Sequence, residues 1–175
     1  VIATNTITLQ EQIMMHDLPI LSKAFGGGFD AVLVKGRANY ISLRRMERAI
    51  EQRAALLHDS KAIEDLNRIH EWALETVDGS RSSLPILPRG DVWELVKSDG
   101  SRCLGKKCPL NSKCFYQTAR RAMEQGRLLV CNHALFFSDL ALRMRGAGFL
   151  PRYDHVIFDE AHAIEDVAAD HFGAS

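Results

Sequence analysis

Val156-Ile157-Phe158-Asp159-Glu160-Ala161-His162 is a short apolar run that ends on two acids. Read as a strand, it delivers both carboxylates at its carboxyl end, which on an open parallel sheet borders the crevice where ligands bind. The chemistry of such a pair suits a nucleotide. The first acid, Asp159, is expected to hold Mg²⁺ at the phosphates of ATP, and Glu160 to orient or deprotonate the attacking water. His162, on the turn that follows, is placed to sense the γ-phosphate. Asp and Glu also favour helix N-termini, so a plain acidic helix start is the competing reading. The preceding strand and the motifs elsewhere favour the nucleotide site.

Working outward from the acidic box, the pattern alternates strand and helix at both ends of the chain. Arg127–Cys131 reads as a buried strand bounded by Asn132-His133, and residues 135–144 as the next helix. Near the start, Val1–Thr4 is strand-like. Thr8 and Glu11 have the spacing of a capping box, which opens a helix. Gly26-Gly27-Gly28 is a turn, and residues 30–36 read as a second strand. Between these flanks, apolar residues recur at helical spacing from Tyr40 to Val77, with a break at His58-Asp59-Ser60. Residues 78–89 read as a loop, followed by a cysteine cluster and a helix over residues 118–125. These patterns predict an α/β motor domain with an inserted, mainly helical subdomain. Residues 1–36 form its first part, 37–125 the insertion and 126–175 the return.

Composition agrees with a folded domain: 46% hydrophobic and 25% charged residues over 175 positions indicate neither disorder nor a coiled coil. No apolar stretch reaches the roughly 18 residues of a membrane span, nor do the first residues read as a cleavable signal, so a cytoplasmic protein is expected. The chain begins at Val1 inside a strand-like run and is read as a fragment. Its formal net charge is zero, but residues 97–127 hold eight bases against two acids. That local excess fits either a phosphate-binding surface or a solvated basic face.

Cys103, Cys108 and Cys114 fall within twelve residues, while Cys131 stands apart in the predicted buried strand and reads as a core cysteine. A loop that gathers three thiols beside Gly105 and Pro109 points to metal, either zinc or an iron–sulfur cluster; both normally want a fourth protein ligand. No Gly-x-x-x-x-Gly-Lys-Ser/Thr phosphate loop occurs in the sequence.

Several motifs in order resemble the DinG/XPD family of iron–sulfur helicases, with the bacterial DinG and YoaA branch most similar. They are Thr4–Gln12, Lys35-Gly36-Arg37-Ala38-Asn39-Tyr40, the three cysteines with Arg120-Arg121, Val130-Cys131-Asn132-His133-Ala134-Leu135, and the acidic box. The resemblance implies an incomplete RecA-like domain with an iron–sulfur insertion, ATP-dependent 5′ to 3′ unwinding of DNA, and a role in DNA repair or replication stress. It implies ATP, Mg²⁺ and a [4Fe-4S] cluster, single-stranded DNA and DNA junctions as partners, and a place at the bacterial nucleoid. By the same resemblance Cys103, Cys108 and Cys114 match three cluster ligands, and Ser42 stands where the family has the first. Thr4, Thr6 and Gln10 match a strand-contacting motif. Lys35, Arg37, Lys106, Lys107 and Arg120 would line the strand's path, whereas Tyr40, Phe115 and Tyr116 are read as packing residues before base-stacking ones. Two other readings stay open: a non-catalytic, metal-stabilised module that binds single-stranded DNA, and a zinc-stabilised interaction domain.

Overall fold

The computed structural model describes residues 1–173. The chain divides into two compact units, one of residues 1–35 with the segment from Arg121 onward, the other Gly36–Arg120. The helix Phe115–Gln125 carries the chain across the second boundary.

The first unit is a four-stranded, all-parallel sheet. Its strands are β1 (Ile2–Thr4), β2 (Ala31–Leu33), β3 (Leu128–Asn132) and β4 (Ile157–Phe158), in the spatial order β2-β3-β1-β4. β1 lies between β3 and β4, with Ala3 opposite both Cys131 and Phe158. Parallel neighbours need crossovers, and these are helical. α1 (Ile7–Gln12) runs through a π-helical turn, Ile13–Asp17, into α2 (Leu18–Phe25). The cap of α1 is Thr6, whose Oγ1 accepts from the Leu9 amide at 3.2 Å, rather than Thr8. Glu11 is committed elsewhere, to Lys35 at 2.8 Å. Gly26 ends α2 with φ +65°.

β3 leads directly into α8 (His133–Met144), capped by the Asn132 side chain accepting from Leu135 N at 2.8 Å. The helix therefore starts two residues before the predicted position. Its Phe136 and Phe137 pack with Ala3, Leu129, Cys131 and Leu150 in the core of this unit. After the acidic box the chain closes with α9 (Ile164–Phe172).

The second unit is helical: α3 (Leu43–Glu51), α4 (Arg53–Leu56), α5 (Ser60–Glu75), α6 (Gly90–Val96) and the first half of α7 (Phe115–Gln125). α5 is capped by Asp59 and buries Ala62, Leu66, Ile69 and Ala73, the i, i+4, i+7, i+11 stripe of an amphipathic helix. That stripe packs with Met46 and Ala49 of α3 and with Val92, Trp93 and Val96 of α6. Gly79 turns the chain at φ +60°, and a Cβ there would meet the Phe115 ring at 2.3 Å. Gly79→Ala combines backbone strain with overpacking. It should cost this unit roughly 2–3 kcal/mol, read by urea unfolding followed through Trp72 and Trp93, both of which lie in this unit. Among the described residues no helix is long and apolar enough to cross a membrane.

Candidate functional site

The acidic box stands at the carboxyl end of β4, beside the carboxyl end of β1. The Asp159 amide donates to Ala3 O at 2.9 Å, the last rung between the two strands. Its Oδ2 then accepts from Thr4 Oγ1 at 2.8 Å. Thr4 is fully buried, so its hydroxyl serves the carboxylate of the neighbouring strand and is not presented to solvent. His133 completes the frame. Its Nε2 lies 2.8 Å from Asp159 O and 3.1 Å from Ala3 O, so the ring's proton at that nitrogen bridges the same two strand ends.

Glu160 follows at φ +53°, and among the described residues it alone adopts a positive φ without being glycine. Such conformations cost about 1–3 kcal/mol and collect at functional sites. The twist turns the Glu160 side chain outward, where its Oε2 is 3.3 Å from Nδ1 of the exposed His162. The two acids and the histidine thus occupy one exposed edge of the sheet, with Asp159 anchored from below.

The other sequence-derived positions in this unit are less accessible. Gln10 is fully buried, and its Nε2 donates to Val34 O at 3.0 Å and Val130 O at 3.1 Å, tying α1 to the end of β2 and the middle of β3. Lys35 is buried against Glu11. Thr6 is exposed, but its hydroxyl caps α1. Cys131 is fully buried in β3. Burial pushes its thiol pKa from about 9 up to about 12, against the pull of the N-terminal charge and with a small push from Asp139. The neutral thiol is thus favoured by folding. Its stabilisation is complete below pH 9, where the unfolded thiol is also neutral, and is lost as pH rises toward 12. Iodoacetamide at pH 8 should leave Cys131 unmodified in the native chain and modify it after denaturation, as mass spectrometry will show.

In the second unit, Ser42 and the three clustered cysteines line one small cavity together with Arg102 and Asn111. Backbone pairing delivers Ser42 there: Ile41 N donates to Gly79 O at 2.9 Å, Ser42 N to Val96 O at 2.8 Å and Ser98 N to Tyr40 O at 2.7 Å. The cysteines are set by two 3-10 turns, Gly105–Lys107 and Asn111–Lys113, each ending directly before a cysteine. Asn111 Nδ2 closes the loop on Gly105 O at 3.0 Å. The Gly105 amide and the Arg37 guanidinium hold the Cys103 thiol below the usual cysteine range. Arg37 lies 4.0 Å over the Tyr116 ring, and Tyr116 is edge-on to the buried Tyr40, so both tyrosines pack. Lys106, Lys107 and Arg120 are exposed.

Among the described residues no three His, Cys, Asp or Glu side chains converge closely enough to chelate one metal ion. The thiols and the hydroxyl instead surround a common space.

A parallel sheet with an acid pair at a strand end, interrupted by a helical insertion that bears the thiols, defines an incomplete RecA-like motor domain. No family profile matches the chain. Individual proteins do. It is 36% identical over 179 residues to the ATP-dependent DNA helicase YoaA of Escherichia coli (strain K12), a match covering 100% of this chain and 28% of that protein. It is 34% identical over 183 residues to YoaA of Haemophilus influenzae, with 100% and 27% covered. The ATP-dependent helicase DinG of Mycobacterium tuberculosis (strain H37Rv) is 31% identical over 182 residues, with 95% and 27% covered. The chain is homologous along its length to a segment of the DinG-like helicases, and it spans little more than a quarter of these relatives.

The sequence pattern marks the Asn132-His133 pair as the boundary of β3 but assigns His133 no role. A polar pair directly after a buried strand is the signal that would have found it, since a histidine there must bond to backbone or ligand.

Proposed function

We propose that this chain is the acidic-box part of an ATP-dependent DNA helicase of the DinG type, acting 5′ to 3′ in DNA repair or replication stress in the bacterial cytoplasm at the nucleoid. The observation that carries the reading is Asp159, held at a parallel strand end by Thr4 Oγ1 at 2.8 Å and backed by His133. A carboxylate fixed in this way can hold Mg²⁺ at the β- and γ-phosphates without reorganising, while Glu160, turned outward beside it, orients the attacking water. His162, next to Glu160, is placed to sense the phosphate.

Ser42, Cys103, Cys108 and Cys114 would hold a [4Fe-4S] cluster. Bound there, a cluster would tie the cysteine loop to the residue that precedes α3 and stabilise the insertion. Arg37, Lys106, Lys107 and Arg120 would follow the phosphates of single-stranded DNA or the strands of a DNA junction. Thr4, Gln10 and Lys35 support the framework from within, and Thr6 caps α1.

The sequence holds no phosphate loop, so the transition-state charge is left without its main donors. The isolated chain is therefore expected to bind single-stranded DNA and to turn over no ATP, with or without DNA. ATP turnover by the isolated chain that disappears in Glu160→Gln would overturn the expectation that it is inactive alone. Failure to bind any nucleic acid would remove the helicase reading in favour of a zinc-stabilised interaction domain.

A further inference from the structure

Glu160 holds a left-handed backbone, with φ +53° and ψ +46°, and it is pinned on both sides. The carbonyl that precedes it, Asp159 O, lies 2.8 Å from His133 Nε2. Its own carbonyl accepts from the Ala163 amide at 3.0 Å, which opens the 3-10 turn Ala161–Ala163. We propose that His133 is a positioning residue for Glu160: its Nε2–H locks the peptide between the two acids and so holds Glu160 in the conformation that parts its carboxylate from that of Asp159. The inference rests on the nucleotide-site reading above and adds the group that sets the angle between the two acids.

The surroundings of His133 argue for this role. It opens α8 with no accessible surface, a position that an apolar side chain would fill. Its Nδ1 is buried without a hydrogen-bond partner. An acceptor orphaned in this way lowers stability, and a leucine would carry none. What the ring supplies is therefore at Nε2. Both atoms that face Nε2, Asp159 O and Ala3 O, are carbonyl oxygens that only accept, so this nitrogen carries the proton. Ala3 O already accepts from the Asp159 amide at 2.9 Å, which leaves Asp159 O as the bond particular to the ring.

The rest of Asp159 is held by β1. Thr4 Oγ1 donates to its carboxylate at 2.8 Å, and Ala3 O takes its amide. Its carbonyl is the group whose rotation would let Glu160 relax to a negative φ, and His133 stands on that carbonyl.

The test is a double-mutant cycle on the 175-residue chain, read by hydrogen exchange of the β3 amides and by the backbone chemical shifts of Glu160. Glycine adopts a positive φ without steric cost. Glu160→Gly should therefore slow exchange about five-fold in the wild-type background. In a His133→Leu background the same change should slow exchange by less than about two-fold or speed it, because Glu160 has already relaxed. His133→Gln, whose Nε2 is the same number of bonds from the backbone, should restore both the gain and the left-handed shifts. A role in packing alone would give the same gain from glycine with histidine and with leucine, and that result would overturn the lock. Should His133→Leu fail to fold, the wild type decides. Its long-range proton–nitrogen spectrum should show an Nε2–H tautomer coupled across the hydrogen bond to the Asp159 carbonyl carbon, and an Nδ1–H tautomer would sink the proposal. Mn²⁺ line broadening separates the lock from the reading beneath it. Broadening centred on Asp159 supports the nucleotide site; its absence in the wild type would overturn that reading, even where the cycle still shows the coupling.

Discussion

Asp139→Ala is expected to lower the stability of the sheet-bearing unit by about 3–5 kcal/mol, because it leaves a charge and two amides without their partner. Asp139 lies on α8 with no accessible surface. Its Oδ2 accepts from Arg143 Nε at 2.5 Å, and its Oδ1 accepts from the amides of Phe149 at 2.7 Å and Leu150 at 2.9 Å. Arg143 in turn donates to Leu150 O at 2.7 Å and Pro151 O at 2.9 Å and lies 4.9 Å over the Tyr153 ring. One carboxylate thereby organises the segment from α8 to β4, the segment that sets where the acidic box emerges. The neighbouring carboxylate and the bonds it makes hold Arg143 above the usual arginine range. A buried, hydrogen-bonded charge of this kind costs far more to orphan than to replace as a pair. Asp139→Leu with Arg143→Met should therefore recover much of the loss. Hydrogen exchange over residues 128–158 is the appropriate probe, since both tryptophans lie in the other unit. Unchanged protection in Asp139→Ala would show that the network is peripheral.

The features of this fold that were legible in the sequence are those with long or unambiguous patterns. α5 declared itself through apolar residues at helical spacing beyond the break at His58-Asp59-Ser60. β3 did so through an uninterrupted apolar run that ends on Asn132. The strands flanking them were read too long. Residues 30–36 gave β2, yet only Ala31–Leu33 form the strand, with Val34 N adding one bond to Val130 O at 2.8 Å. The apolar run Val156-Ile157-Phe158 predicts β4, whose strand is Ile157–Phe158. Hydropathy records which residues are apolar, not where the partner strand stops.

α6 is not legible in the sequence because its seven residues, Gly90–Val96, which follow Pro85 and Pro88, carry too little periodicity. Its helix is fixed by burial of Val92, Trp93 and Val96 against α3 and α5. α7 begins at Phe115, three residues before the expected start, because the second 3-10 turn feeds directly into it. The acidic box could be seen in the sequence as a chemical pattern. Its support could not, because the Thr4–Asp159 and His133–Asp159 bonds join residues separated by 155 and 26 positions. The cysteine cavity shows the same limit: spacing grouped the three thiols, but backbone pairing of residues 40–42 with residues 79 and 96–98 is what brings Ser42 to them.

Ser42→Cys is expected to convert a labile cluster site into a durable one. This prediction rests on the proposed [4Fe-4S] reading. In the wild-type chain three of the cavity's donors are thiols, soft ligands for iron, and the fourth is a hydroxyl, a harder oxygen. An iron held by Ser42 would therefore be the one bound least firmly. After anaerobic reconstitution, exposure to air should remove that iron first and leave a three-iron form with its own paramagnetic signal, while visible absorption decays. Ser42→Cys should slow the decay several-fold and suppress that signal, because all four donors are then alike. Cys108→Ser supplies the opposite test, since it removes a thiol from the centre of the loop and should abolish iron loading. Each variant is read by iron and sulfide content and by spectroscopy, so the result does not depend on catalytic activity. Equal decay in wild type and Ser42→Cys, with Cys108→Ser still loading iron, would show that these side chains do not hold the cluster. A colourless wild type that takes up only zinc would replace the cluster with a structural ion and return the insertion to the zinc reading.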